Sequence, residues 1–301
     1  MADGQAIALG AHANRSSSSD KFLIVNADDF GLSPEVNAAV VRCHREGILT
    51  ATSLMVAAPA AAEASRIASE TPTLDVGLHA VVCMGRSVMG PRELAGLVDK
   101  DGNFTNNAVA AGFRYFFARK IHAALRAVLR AQVERHLELV GRLDHIDGHL
   151  NFHVHPVLAD ILIDLAAEHH VPFIRLPREP VITTLRLARD NAPRKLVEGV
   201  IFRALSRRAR RKARERGIRT NDWLFGLHQS GNMSETYVLG VIERLRSGVT
   251  EMYFHPAMDI GGVPPSPAAQ REVEILTGPR VREALAKRDV RLTTFAALAK
   301  S

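Results

Sequence analysis

The sequence predicts an α/β protein built as a TIM-like (β/α) barrel, complete or slightly irregular, with seven or eight strands. Short apolar segments alternate with amphipathic ones in the order strand, loop, helix along the whole chain, without an internal repeat. That order implies parallel strands joined by right-handed crossovers. At 301 residues the chain has the length one such barrel takes. Polar residues able to hold a metal or move a proton fall at the carboxyl ends of the strands, which in a barrel share one face. An open doubly wound sheet lacks support, because no G-x-G-x-x-G follows the first strand.

The first twenty residues hold no apolar run of signal-peptide length and read as a flexible tail, leaving 21–301 as one barrel domain. Phe22, Leu23, Ile24 and Val25 run apolar without alternation, as a strand covered on both faces does. They stop at Asn26, Ala27, Asp28 and Asp29, which read as a loop. Ser33 is an N-cap and Pro34 a first-turn residue for a helix burying Val36, Ala39, Val40 and Cys43, with Gly47 as its stop. A strand over 52–56, an alanine-rich helix over 60–70 and a strand over 74–79 follow. Residues 85–120 carry glycine and proline turn signals and read as an irregular excursion, a lid or substrate loop. Within it DKDGN, 99–103, lacks the ligands of a calcium loop and reads as a β-turn.

Apolar residues three to four apart, from Ile121 through Leu125, Val128, Leu129, Val133 and Leu137 to Val140, predict a helix over 121–140. A strand over 143–147 runs into DGHLNFHVHP, 147–156, and a helix over 157–169. The strand over 173–176 is stopped by Pro177. Residues 180–219 read as helical and include a basic insert over 196–219. A strand over 223–227, a Ser234-capped helix, a strand over 250–254, a helix over 269–285, a strand over 290–294 and a short tail helix complete the order.

Hydrophobic residues make up 47% of the chain, enough for a sizeable core, and aromatics only 5%, so aromatic stacking on a ligand is no design theme. The net charge is +7, yet nine cations lie between Arg203 and Arg219 with Glu215 as the sole acid among them. Such a helix suits peripheral contact with an anionic membrane, or is a solvated face. Nucleic-acid binding through it is disfavoured, since no aromatics are interleaved and no reading module is present. Cys43 and Cys83 sit in apolar surroundings and read as core residues of a cytoplasmic protein, and no run of apolar residues reaches bilayer-spanning length. A homo-oligomer is left open.

The metal-competent residues are Asp28 and Asp29 after the first strand, His79 after the third, Asp147 and His149 after the fourth, and His255 after the seventh; Arg175 lies in the fifth. One carboxylate and two imidazoles match a catalytic metal site, because three protein ligands leave a coordination position open. A second carboxylate beside them can take a proton from water, and an imidazolium across the site can protonate a leaving amine. His153 and His155 either orient His149 or cap the next helix. The donors suit Zn²⁺, Mn²⁺ or Co²⁺ and do not exclude Mg²⁺. A phosphoesterase is the competing enzyme reading, although three aspartates are few for the two metals such sites hold.

NADDFG at 26–31, GLH at 77–79, DGHLNFHVHP at 147–156 and FHPA at 254–257 resemble the signature segments of the YdjC-like carbohydrate deacetylase family, in the same order and over nearly the whole chain. The resemblance implies a (β/α) barrel that removes N-acetyl groups from amino sugars such as chito-oligosaccharides with a divalent metal, Mg²⁺ by family likeness. It implies His79 and His149 as ligands, Asp29 as the third, Asp28 as base, His255 as general acid and Arg175 as the residue orienting the base. FIRLPREP, LFGLHQSG and TEMYFHPA, starting at 173, 224 and 250, resemble the branch associated with hopanoid biosynthesis, which implies an N-acetylglucosaminyl hopanoid lipid as substrate.

Overall fold

The computed structural model of the protein describes residues 20–94, 96–262 and 264–300. The tail expected over 1–20 lies, Asp20 excepted, outside these residues. In chain order the elements are β1 (Lys21–Phe30), α1 (Pro34–Glu46), β2 (Ala51–Leu54), α2 (Ala61–Glu70), β3 (Asp75–Ala80), α3 (Ala108–Phe117) and α4 (His122–Val140). There follow β4 (Ile146–Gly148), a 3-10 segment (His149–Val154), α5 (Pro156–Glu168), β5 (Phe173–Ile174), α6 (Val181–Leu187), α7 (Ala192–Glu215), β6 (Arg219–Thr220) and β7 (Trp223–Phe225). The chain ends with α8 (Glu235–Glu243), β8 (Gly248–Phe254), α9 (Pro267–Thr277), α10 (Pro279–Lys287), β9 (Val290–Leu292) and α11 (Phe295–Ala299).

The strands form one parallel sheet in the order β6-β5-β4-β3-β2-β1-β8-β7, with helices outside it, a TIM-like α/β half-barrel. β9 pairs with Lys21–Leu23 of β1, below the stretch that pairs with β2. The ends of the order, β6 and β7, are separated in sequence only by Asn221 and Asp222. They behave as one strand broken in the middle, the first half on β5 and the second on β8. The Asn221 side chain bridges the break: Nδ2 donates to the carbonyls of Leu176 and Trp223 at 2.8 and 3.0 Å, and Oδ1 accepts from Leu176 N at 2.6 Å. The seam of the barrel is thus held by a side chain where a backbone ladder would leave polar groups bare.

Local chemistry explains most element boundaries. Ser33 accepts a hydrogen bond from Val36 N at the start of α1, whose buried face is Val36, Asn37, Ala39, Val40 and Cys43. Gly141, at φ 78°, ends α4 in the left-handed conformation that glycine adopts without strain. Asp99 accepts from Asp101 N and Asn103 N, making the turn expected there. Both cysteines are free and buried. No helix among the described residues is long and apolar enough to cross a membrane.

Four expectations are corrected. β1 does not stop at Val25 but continues to Phe30, because Asn26, Ala27 and Asp28 keep pairing with neighbouring strands or face buried partners. The excursion over 85–120 contains a helix, α3, capped by Asn107, which accepts from Ala110 N. The helix expected over 269–285 is two, split at Gly278 and Pro279, since proline supplies no N–H to continue the first. The basic cluster is not short of acidic partners. Arg208 and Lys212 pair with Asp160, Lys212 and Arg216 with Asp164, and Arg210 with Asp222, all from outside α7. Much of its charge therefore welds α7 to α5.

Candidate active site

The carboxyl end of β1 is bent so that adjacent aspartates serve different neighbours. The register with β2 shifts between Ala27 and Phe30, and Asp29 sits at φ 64°, a left-handed conformation that Asp tolerates better than most residues. Gly31 follows at φ 86°, where an added Cβ would lie 2.9 Å from Leu54 Cδ1. Asp28 faces inward to the Arg175 guanidinium, which holds it with two bonds of 2.8 and 2.7 Å, while Asn26 Nδ2 donates to Asp28 Oδ1 at 2.8 Å. Asp29 faces the imidazoles. Its Oδ1 is 3.2 Å from His79 Nε2 and 3.1 Å from His149 Nδ1.

His149 is delivered by the loop after β4, in which Leu150 and Asn151 are both left-handed, at φ 54° and 57°. A leucine in that region is uncommon and mildly strained. The His79 ring is fixed from behind, with Nδ1 2.7 Å from Asp147 Oδ1 and 3.3 Å from Ser53 Oγ. Arg175 Nη2 also stands 2.9 Å from Asp147 Oδ2 as an ion pair, and Arg175 Nε donates to Glu251 at 2.7 Å. One fully buried guanidinium thus meets Asp28, Asp147 and Glu251, and stacks its charge 4.7 Å over the Tyr253 ring. Burial pushes Glu251 up to about 7, against the pull of Arg175.

Asp29, His79 and His149 hold one ligand atom each within 4.8 Å of one another. Because Asp147 accepts from His79 Nδ1–H, the other ring nitrogen presents a lone pair, and no hydrogen-bond donor meets it. In the neutral ring that lone pair and the Asp29 carboxylate face each other across 3.2 Å, two acceptors that only a shared proton or a cation reconciles. Burial disfavours a charged His79 ring, yet Asp147, Asp29 and Asp28 outweigh it and lift its pKa to about 10. Burial would likewise raise Asp29, but hydrogen bonds with His149 and His79 hold it well below the usual carboxylate range. A site that draws a proton this strongly between a carboxylate and an imidazole fits a divalent cation in its place. The neighbouring set Asp28, His79 and Asp147 also has metal-ligand spacing, but Arg175 Nη2 already stands 2.7 Å from Asp28 and 2.9 Å from Asp147.

His255, past the end of β8, lines a cavity of about 350 Å³ with Asp28 and Asp29; Leu32, Pro256 and Pro264 give it an apolar wall. The backbone N–H of His255 donates to the buried carboxylate of Glu272 at 2.5 Å. Neither His153 nor His155 has a hydrogen bond or ring contact with His149; His155 is the N-cap residue of α5, one of the two placements expected, although its side chain does not make the cap bond. His153 Nε2 donates to the Arg175 carbonyl at 3.1 Å and so steadies the guanidinium's backbone; His155 Nε2 donates to the Gly112 carbonyl at 3.1 Å and ties α3 to the start of α5. Asn26, Ser53, Glu251, Tyr253 and Glu272 escaped the sequence reading. Only Glu251 carried a legible signal, a lone carboxylate inside the apolar strand TEMYF.

Comparison with known proteins follows the same outline. A protein named carbohydrate deacetylase from Vibrio cholerae serotype O1 (strain ATCC 39541 / Classical Ogawa 395 / O395) is 39% identical over 152 residues, 50% of this chain, and the match spans 57% of that relative's length. Another of that name, from Thermoanaerobacter pseudethanolicus, is 28% identical over 284 residues, 92% of this chain and 99% of its own. Among solved structures, an Enterococcus faecalis V583 protein named for cellobiose-phosphate cleavage superposes with a TM-score of 0.73 at 26% identity, covering 93% of this chain and 99% of that one. The family model described as YdjC-like protein matches residues 22–287, and with that extent the chain belongs to the YdjC-like family.

Proposed function

We propose that the protein is a metal-dependent carbohydrate N-deacetylase that hydrolyses the N-acetyl amide of an amino sugar and releases acetate. The observation that carries this reading is the convergence of Asp29, His79 and His149 beside a carboxylate, Asp28, clamped by Arg175 at the mouth of a cavity that His255 also lines. The name shared by its relatives supports the same reaction. A divalent cation held by Asp29, His79 and His149 would supply Lewis acidity, lowering the pKa of a water and polarising the amide carbonyl.

The chain's own residues do the rest. Asp28 takes the proton of the attacking water; Arg175 fixes the carboxylate's orientation, and Oδ2, with one donor against two on Oδ1, keeps the freer lone pair. The water oxygen bonds to the carbonyl carbon and the C–N bond breaks. His255 gives the nitrogen its proton, so the sugar leaves as an amine and the acyl group as acetate. Asp147 keeps the His79 tautomer that turns Nε2 to the site.

For the substrate, the branch resemblance favours an N-acetylglucosaminyl hopanoid, with a chito-oligosaccharide as the alternative, and an enzyme attached peripherally to the inner face of the membrane. A phosphoesterase is less well supported, since Arg175 fills the second set of metal-spaced ligands. The test is acetate release from N-acetylglucosaminyl hopanoid and from N,N′-diacetylchitobiose, using metal-free, metal-restored and His149→Ala enzyme. Acetate from the lipid, lost on chelation and in the variant, is expected. Acetate from chitobiose alone keeps the reaction and removes the lipid; acetate from neither, with metal restored, overturns the proposal.

A further inference from the structure

The large apolar side chains left exposed are distributed on one side only. Thirteen stand exposed among the described residues, and every one comes from a segment that leaves the carboxyl end of a strand: the loops after β1, β3, β4 and β8, α3, α6 and the first half of α7. These segments share the carboxyl end of the sheet, the end that carries the site. The opposite end of the barrel exposes none among the described residues.

Two clusters dominate. On α3, Ala111 and Tyr115 are buried while Phe113 and Phe117 are 64% and 71% exposed, with their rings stacked 6.4 Å apart and Phe116 set edge-on to Phe117 at 5.0 Å. Phe116 also meets His155, so α3 rests on the loop that delivers His149. On α7, Val197, Val200 and Ile201 share an outer face. Arg208 donates to the carbonyl of Pro156, the first residue of α5, at 3.0 Å. The part of α7 before Arg208, about 24 Å of helix at 1.5 Å per residue, therefore runs ahead of α5 on the side where the site opens.

Charge follows the same distribution. Residues 81–121 carry six cations against three carboxylates and residues 177–207 seven against three, an excess equal to the net charge of +7. Arg203 and Arg207 have no ion pair among the described residues, whereas the cations beyond them on α7 are largely paired with Asp160, Asp164 and Asp222. Exposed aromatic and aliphatic side chains ringed by unpaired cations are complementary to the headgroup region of an anionic bilayer.

We propose that the site-bearing face docks on an anionic lipid bilayer, with Phe113, Phe116 and Phe117 and the Val197, Val200, Ile201 face entering the headgroup region and the site turned to the membrane. The inference extends the lipid-linked substrate proposed above and moves the membrane contact from the ion-paired half of α7 to its apolar half and α3.

The experiment is flotation of the full chain with vesicles of phosphatidylglycerol and phosphatidylcholine, or of phosphatidylcholine alone, comparing wild type with Phe113→Ser/Phe117→Ser and Val197→Ser/Val200→Ser. Binding to the anionic vesicles is expected, weakened about tenfold or more by either pair of substitutions and reduced by salt. Acetate release from N,N′-diacetylchitobiose, where wild type has it, and circular dichroism report that the variants are folded. No binding to anionic vesicles, or binding that ignores both pairs, overturns the proposal. So does a dimer in sedimentation that the same substitutions dissociate, because a second copy would then cover this face. Acetate from a detergent-dispersed glycolipid without vesicle binding removes the docking and keeps the substrate; vesicle binding with no acetate from any glycolipid keeps the docking and removes the substrate.

Discussion

Arg175 grips Asp28 with both terminal nitrogens, Nη1 to Oδ2 at 2.8 Å and Nη2 to Oδ1 at 2.7 Å, across the barrel from the end of β5 to the end of β1. A planar fork of this kind fixes direction as well as charge. Arg175→Lys keeps the charge and loses the fork, and acetate release should fall about a hundredfold with substrate binding little changed. Arg175→Met leaves Asp28 and Glu251 without their countercharge and Asp147 with His79 alone, and should lower stability in urea by about 3–5 kcal/mol. Full activity in the lysine variant would remove Arg175 from the reaction.

Cation binding should be visible without turnover. A Zn²⁺, Mn²⁺ or Co²⁺ titration of chelated protein should raise the melting temperature, the stabilisation reaching about 2.7 kcal/mol at a free concentration a hundred times Kd. His149→Ala and Asp29→Asn should lose most of that rise, since each removes one of three donors. Equal rises in wild type and both variants would place the cation elsewhere.

Two buried groups far from the cavity give stability opposite pH slopes. Burial pushes the His136 pKa from 6.5 down to about 4, while its Nε2 donates to the Arg142 carbonyl. The unfolded chain therefore takes up a proton first, and the stability present above pH 6.5 is lost as the pH falls through 4, on the order of 3 kcal/mol. Burial raises Asp75 from 3.8 to about 6, so its contribution is present below 3.8 and is lost as the pH rises through 6. Urea unfolding from pH 4 to 7 should lose the rise in stability with pH in His136→Gln, which keeps the donor and leaves the Asp75 fall uncovered, and should lose that fall, leaving the rise, in Asp75→Asn.

Gly77 is a packing requirement. A Cβ there would lie 2.4 Å from the His145 ring, which is buried and stacked 3.8 Å from Phe295. Gly77→Ala should cost about 1–3 kcal/mol in stability. It should also reduce acetate release, because β3 carries His79 two residues on. Unchanged melting would mean that His145 has room to move.

The order of strands and helices was legible because it rests on local patterns. The unbroken apolar run of Phe22 to Val25 and the Ser33–Pro34 start of α1 are determined within a few residues, as is the three-to-four spacing of α4. The positions of Asp28, Asp29, His79, His149 and His255 at strand ends were legible for the same reason. Which of these side chains meet was not legible in local pattern and was expected only from the family resemblance. Asp29 meets two imidazoles, while Asp28 meets Arg175, because a register shift and one left-handed residue turn adjacent carboxylates apart, and that bend depends on the neighbouring strands. The basic stretch of α7 looked unpaired because its acids, Asp160, Asp164 and Asp222, belong to other elements. Sequence alone determined the alternation of elements and the residue types at the strand ends. Only the tertiary structure decided which charges are paired and which atoms converge, since hydrogen bonds and ion pairs form between groups brought together by the closing sheet, however far apart they lie in the chain.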